Sequence, residues 1–504
     1  MATSASTTAV DLGALESHLW EAANILRGPV DASDFKTFIF PLLFFKRISD
    51  VYDEEYEQSL KESGGDVAYA QFAENHRFQI PEGCRWQDVR SKTTNVGQAI
   101  QRSMREIEMA NPNTLYSIFG DTPWSNKDRL SDALLRDLVE HFSCVSLANR
   151  DIDDDILGQA YEYLIKKFAD QTNRKAGEFY TPRSVVRLMV NILDPKEGET
   201  IYDPTCGTAG MLLGAIQHVK EAGGNVRKLW GKLYGQEKNL TTSAIARINL
   251  FLHGIEDFKI VRGDTLSAPA FSDGDRLRQF DVCLANPPYS IKQWDRTAWS
   301  SDRFGRNSLG TPPQGRADYA FFGHILASLK PKTGRCAILF PHGVLFRDEE
   351  QEMRAKLVDT DQIECVLGLG PNLFYNSPME ACVVVCRTAK TKARRNRILF
   401  INAVNEVTRE RAQSFLEEEH IQKILKTYQQ CEDVEGFARV VTLDEIRTNK
   451  ANLSIPLYVR PKADDAAGMA NGKPLPKVIE EWQASSKALR SSMDALLAAL
   501  EQPR

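Results

Sequence analysis

What this 504-residue chain has little of narrows it first. Its nine cysteines are scattered singly, with no Cys-x-x-Cys and no His/Cys ligand spacing, so neither a zinc site nor a disulfide framework is indicated and no metal is expected. The nearest pair, Cys382 and Cys386, lies in the apolar run Ala381 to Cys386. Residues at that spacing on a strand share a face, which reads as core thiols of a reducing cytoplasm. Long hydrophobic runs are missing: the longest, Phe38 to Phe45, is eight residues and contains Pro41. That is far short of the roughly 20 residues a membrane-spanning helix needs. The first ten residues carry neither the basic nor the apolar region of a secretion signal, so a cytoplasmic location without membrane contact is expected. Positive charge is not in excess either, with 63 Lys and Arg against 68 Asp and Glu, a formal charge of −5. A chain that grips nucleic acid over a wide surface by itself is usually clearly basic, so composition argues against a self-sufficient nucleic-acid binder.

What is present is the profile of a globular protein, 42% apolar and 26% charged. The length allows about two to four domains. From Asp11 to about Arg150 the pattern is helical, with apolar residues at three- and four-residue steps in Leu15, Leu19, Trp20, Ala23 and Leu26, and again through Phe38 to Ile48 and Leu134 to Val145. Asp31 to Asp34 reads as a helix start whose side-chain oxygens can cap free backbone N–H groups. Ile156 to Phe168 predicts a further helix. After Gly177 short apolar runs alternate with helical stretches: Thr200–Tyr202, Lys232–Gly235, Lys259–Val261, Phe280–Leu284, Cys336–Phe340, Ile363–Leu367 and Ala381–Cys386. That rhythm predicts an α/β domain with a mostly parallel sheet covered on both faces, clear to about 400 and less clear to about 460. Residues 461–476 are a linker by composition. Beyond it Trp482, Leu489 and Leu496 recur at seven with Met493 and Leu500 interleaved, a helix seam that either packs on its own domain or docks on a partner's helices.

Three clusters carry chemistry. Asp203-Pro-Thr-Cys-Gly-Thr-Ala-Gly210 follows a strand and opens a helix, where Gly207 and Gly210 permit a tight turn and the helix N-terminus offers free N–H donors. It lacks the G-x-G-x-x-G and G-x-x-x-x-G-K-[ST] patterns, which disfavours NAD and ATP. Glu237 and Asp264 each end a predicted strand, where one carboxylate can accept from ribose hydroxyls and the other from an adenine amino group. Asn286-Pro287-Pro288-Tyr289 follows the strand Phe280–Leu284. Its prolines hold the chain extended and leave carbonyls free to accept. The Asn286 amide oxygen and the Pro287 carbonyl can then both accept from an exocyclic amine, and Tyr289 offers a flat face for a base.

Together these residues resemble the amino-group DNA methyltransferases, and more closely the modification subunit of type I restriction–modification systems. The segment Glu178, Phe179, Tyr180, Thr181, Pro182, Arg183 before the Asp203 motif, the tracts Ala317–Phe322, Gly334–Phe346 and Asn452–Tyr458, and the helical segment Leu19–Asp50 also look like blocks of that family. The resemblance covers nearly the whole chain. It implies a helical N-terminal domain (1–150), a Rossmann-like S-adenosylmethionine-dependent methyltransferase domain (151–460), and a linker with a C-terminal partner-docking helix (461–504). It implies that Glu178 to Arg183, Asp203, Gly207, Thr208, Ala209 and Gly210 line the cofactor pocket, with Glu237 on the ribose and Asp264 near the adenine. Asn286 to Tyr289 would hold a target adenine for methylation at N6. Met211 stands where Phe is common in the family, which should alter packing beside the cofactor without removing a polar contact.

The resemblance also implies partners: double-stranded DNA, a specificity subunit shared by two modification subunits, and a restriction subunit that can add to them. The loop Ile291–Arg316, with five Lys/Arg against two Asp, can touch DNA or close over the base but is short for reading a site. Two other readings use the same residues: methylation of a glutamine amide or RNA base, and a non-enzymatic DNA clamp or nuclease scaffold.

Overall fold

In the computed structural model the described residues are 11–171, 180–374, 380–410, 413–460, 479 and 482–487. The chain begins as helices. Those used below are α1 (Leu12–Ile25), α2 (Phe35–Glu62), α3 (Val96–Ala110), α4 (Asp132–Ser143) and α5 (Asp154–Gln171). The start of α2 falls where the Asp31 to Asp34 pattern puts it, but neither aspartate caps it through its side chain. The Asp34 carboxylate instead meets Arg129 at 3.1 Å. Pro41 lies inside α2 and has no N–H to give the Thr37 carbonyl; the Thr122 hydroxyl donates to that carbonyl instead, at 2.7 Å. The aromatic face of α2 builds the helical core: Phe40 packs against Tyr161 and Phe168 of α5, and Phe45 against Trp86. Each such fully buried ring is worth about 1.5–3 kcal/mol. The core takes in α5, beyond residue 150, and one face of a later helix, Leu240–Leu252.

The remainder is a nine-stranded sheet with helices on its faces. Its strands are β1 (Ile201–Asp203), β2 (Leu233–Glu237), β3 (Lys259–Arg262), β4 (Val282–Ala285), β5 (Arg335–Pro341), β6 (Ile363–Leu369), β7 (Ala381–Arg387), β8 (Arg397–Ala403) and β9 (Ala438–Thr442). They lie in the order 9-8-6-7-5-4-1-2-3. β7 runs antiparallel between β5 and β6, β9 is antiparallel to β8, and the other pairs are parallel. The α/β, mostly parallel fold expected from the alternating runs is what forms. Successive residues of the buried strands serve opposite cores: Val383 and Val385 face one layer, and Cys382, Val384 and Cys386 the other. The predicted core thiols are therefore core, and the described cysteines are all free.

The helices that matter for the site are α6 (Arg183–Leu193), α7 (Gly210–Glu221), α8 (Leu240–Leu252) and α9 (Asp318–Ala327). Among the described residues no helix is long and apolar enough to cross a membrane. Of the C-terminal seam, Leu489, Met493, Leu496 and Leu500 lie outside the described residues, while Trp482 is 67% exposed.

Candidate active site

The strand order reverses between β1 and β4: the chain runs outward from β1 to β2 and β3 and from β4 to β5 on the other side, and a crevice opens outside the carboxyl ends of strands at such a point. Of the predicted residues, Asp203, Glu237, Asp264 and Asn286 stand at or just beyond the carboxyl ends of β1, β2, β3 and β4 there. β1 ends at Asp203, which is 1% exposed and accepts from the Thr205 N–H at 3.0 Å. Burial pushes its pKa up to about 8, and the neighbouring Glu237 carboxylate adds to the rise. The turn that follows uses left-handed backbone at Gly207 (φ 52°) and Ala209 (φ 68°) before α7 begins at Gly210. A Cβ on Gly210 would meet no atom within 4 Å, so the backbone there faces open space. Glu237, at the end of β2, accepts from the Gly207 N–H at 3.1 Å and from the Asn239 N–H at 2.8 Å. Its pKa is raised, chiefly by burial. Asp264 follows β3 and is shared between Lys238 (2.8 Å) and the Leu266 N–H (3.0 Å).

Asn286 to Tyr289 continue from β4, the strand beside β1. Asn286 Nδ2 donates to Thr181 Oγ1 at 3.0 Å, which joins this motif to the segment before α6. Tyr289 packs its ring against the core on one sheet face. Its hydroxyl is buried without a hydrogen-bond partner among the described residues, and burial raises its pKa. Of that preceding segment, Glu178 and Phe179 lie outside the described residues. Tyr180 packs against the helical core, Pro182 precedes α6, and the Arg183 guanidinium pairs with Glu162 of α5. The Arg183 charge is thus spent between the helical region and α6, apart from the acids at the strand ends.

Several supports were not visible as functional residues in the sequence. Asn249, 1% exposed in α8, donates from Nδ2 to the Thr208 carbonyl at 2.8 Å and so holds the glycine turn from behind. Its only sequence signal is a lone amide in an apolar helical pattern. Ser290, at φ 49°, turns the chain after Tyr289, and its N–H donates to buried Asp318 at 2.9 Å. Arg347 pairs with Asp318 at 2.8 Å and with Glu350 at 3.4 Å. Burial pushes Glu350 up to about 7 against the pull of that guanidinium. Arg306, one of the five cations in the loop Ile291–Arg316, is internal. It is 3% exposed, paired with Asp302 at 2.6 Å, and donates to the carbonyls of Thr265 and Leu266. It fastens that loop beside Asp264 and is out of reach of DNA; Lys292, Arg296 and Arg303 are the exposed cations of the loop. Among the described residues no group of three or more His, Cys, Asp or Glu side chains is set to hold a metal ion.

Comparison with known proteins follows the same division of the chain. The family model described as N-6 DNA methylase matches residues 152–466, nearly all of the sheet domain and the site just described. The chain belongs to the N-6 DNA methylase family. A second model, the HsdM N-terminal domain, matches residues 15–142 of this methylase. The MjaVII methylase subunit of a type I restriction enzyme from Methanocaldococcus jannaschii is 31% identical over 503 residues, covering 95% of this chain and 82% of the relative. The MpnII methylase subunit from Mycoplasma pneumoniae is 27% identical, covering 89% and 90%. Among solved structures, a type I restriction–modification methyltransferase subunit from Streptococcus thermophilus superposes with a TM-score of 0.77 at 29% identity, over 89% of this chain and all of that one. The resemblance carried by the motifs is borne out: this methylase is of the type I modification-subunit kind.

Proposed function

We propose that this methylase transfers a methyl group from S-adenosylmethionine to N6 of an adenine rotated out of double-stranded DNA, with a separate specificity subunit reading the site. The juxtaposition of Asn286–Tyr289 with Asp203 on neighbouring strands of the switch point carries the reading. The side chains suit the cofactor: a buried Asp203, with Glu237 and Asp264 at the neighbouring strand ends, supplies acceptors for a cationic, hydroxyl- and amine-bearing molecule. Gly207, Thr208 and Ala209 complete that pocket in this reading, bordered by the segment before α6, while the Arg183 guanidinium stays with Glu162. When bound, the cofactor supplies a methyl group on sulfonium sulfur, so the leaving group is a neutral thioether.

The chain's own residues hold the amine. Asn286 Oδ1 and the Pro287 carbonyl accept hydrogen bonds from its two N–H groups, which draws the nitrogen lone pair out of ring conjugation and toward the methyl group; once methylated, the nitrogen releases one proton to solvent. Tyr289 stacks on the base for about 1–3 kcal/mol, against a cost of a few kcal/mol to rotate it from the duplex. The remaining requirement is alignment, met by fixing both ends of the motif. The helical domain, its core reaching through α5, the methyltransferase domain to about 460 and the docking tail are the parts of this machine. Its partners in this reading are the duplex, a specificity subunit shared by two copies of the chain, and a restriction subunit. Asn286→Ala and Tyr289→Ala are expected to retain cofactor binding by calorimetry while methyl transfer by the assembled complex falls by about 100-fold or more. Unchanged transfer rates in both variants would refute the assignment.

A further inference from the structure

An asparagine amide accepts on one side and donates on the other. The proposed chemistry needs the accepting side turned to the amine; turned half-way round, Asn286 would set its own N–H groups against those of the substrate. The fixed partner of Asn286 Nδ2 is Thr181 Oγ1, 3.0 Å away and 105 residues earlier in the chain. Thr181 is itself constrained. It is β-branched, so its side chain has few rotamers, and Pro182 after it holds its backbone extended. Pro182 in turn leads directly into α6, which packs Val185, Val186 and Met189 into the sheet core. The hydroxyl is thus anchored to a rigid element rather than to a free loop.

We propose that Thr181 is a positioning residue: its hydroxyl holds the Asn286 amide with Oδ1 facing the target amine. This goes beyond pocket lining, and it rests on the functional reading above. It also ties the segment that borders the cofactor to the group that grips the base.

The test uses the full chain assembled with its specificity subunit. Thr181→Val keeps the shape and removes the hydroxyl; Thr181→Ser keeps the hydroxyl. Thr181→Val is expected to lower kcat by about 10- to 100-fold. The Kd for S-adenosylmethionine, read by calorimetry, should stay within about twofold, and Thr181→Ser should recover most of the rate. In an Asn286→Ala background, Thr181→Val should cost nothing further, because contacting residues of one unit are non-additive. A Thr181→Val rate equal to wild type would overturn the proposal. So would a loss that disappears at saturating cofactor, or an equal loss in the Asn286→Ala background. Absence of any methyl transfer by the wild-type complex would instead bring down the functional reading, and this proposal with it.

Discussion

At the scale of single residues, Asp203 makes the sharpest demand. A carboxyl whose folded pKa lies near 8 is protonated in the ligand-free chain at neutral pH, whereas the unfolded chain ionises it near 3.8. Its contribution to stability is therefore complete below about pH 4 and is lost as pH rises through about 8. A bound sulfonium with its ammonium group favours the anion, so binding should expel a proton below pH 8. S-adenosylmethionine affinity is then expected to rise with pH from about 6 to 8, by up to tenfold per unit, and to level off above. Calorimetry in phosphate and in Tris counts the proton released, and Asp203→Asn should flatten both profiles. A flat wild-type profile would exclude this account. Asp203, Glu237 and Asp264 were legible because acids at predicted strand ends fall where open sheets bind ligands. Asn249 and Asp318 were not. Asn249 reaches Thr208 across 41 residues and Asp318 reaches Ser290 across 28, and no local pattern marks such partners.

At the scale of elements, α8 has two employers. Ile245, Ile248, Phe251 and Leu252 lie in the helical core, where Phe251 meets Phe44 at 5.8 Å and Phe78 at 5.4 Å. Ala246 and Leu250 lie in the sheet core, and Asn249 holds the Thr208 carbonyl. Arg247 adds bonds to the Thr114 and Tyr116 carbonyls of the helical region. The faces should separate on mutation. Phe251→Ala is expected to cost about 3–5 kcal/mol of stability in thermal or denaturant unfolding. Asn249→Ala leaves a buried carbonyl without its donor, costs about 1–3 kcal/mol, and should weaken S-adenosylmethionine binding about tenfold. Equal cofactor affinity in Asn249→Ala and wild type would remove the glycine turn from the work of α8. Elements were legible where periodicity decides them: each apolar run from Thr200 to Cys386 became part of a strand. Their order in the sheet was not, since a strand such as β7 looks alike whether its neighbours run with it or against it. The helical core's reach past residue 150 was hidden for the same reason, because the pattern of α5 shows that it packs but not on what.

At the scale of the whole molecule, the formal charge of −5 bears on how DNA is held. Non-specific affinity comes from cations set against phosphates and falls steeply with salt, because each contact releases counterions. Here cations are not in excess, and in the loop after the Asn286 motif one of the five, Arg306, is consumed internally by Asp302. The chain alone is therefore expected to bind duplex DNA no more tightly than about micromolar at about 0.15 M salt, and to methylate no defined site. Joined to its specificity subunit it should reach about 10⁻⁸ M or better at that subunit's sequence, with most of the salt dependence contributed by the partner. Trp482 of the tail is exposed, and the proposed docking of the tail would cover it. Deleting residues 477–504 should abolish co-purification with the specificity subunit and leave S-adenosylmethionine affinity unchanged. Titrating duplexes by fluorescence anisotropy across a salt series, with and without the partner, separates the contributions. Nanomolar, sequence-selective binding by the isolated chain would mean that it reads DNA itself.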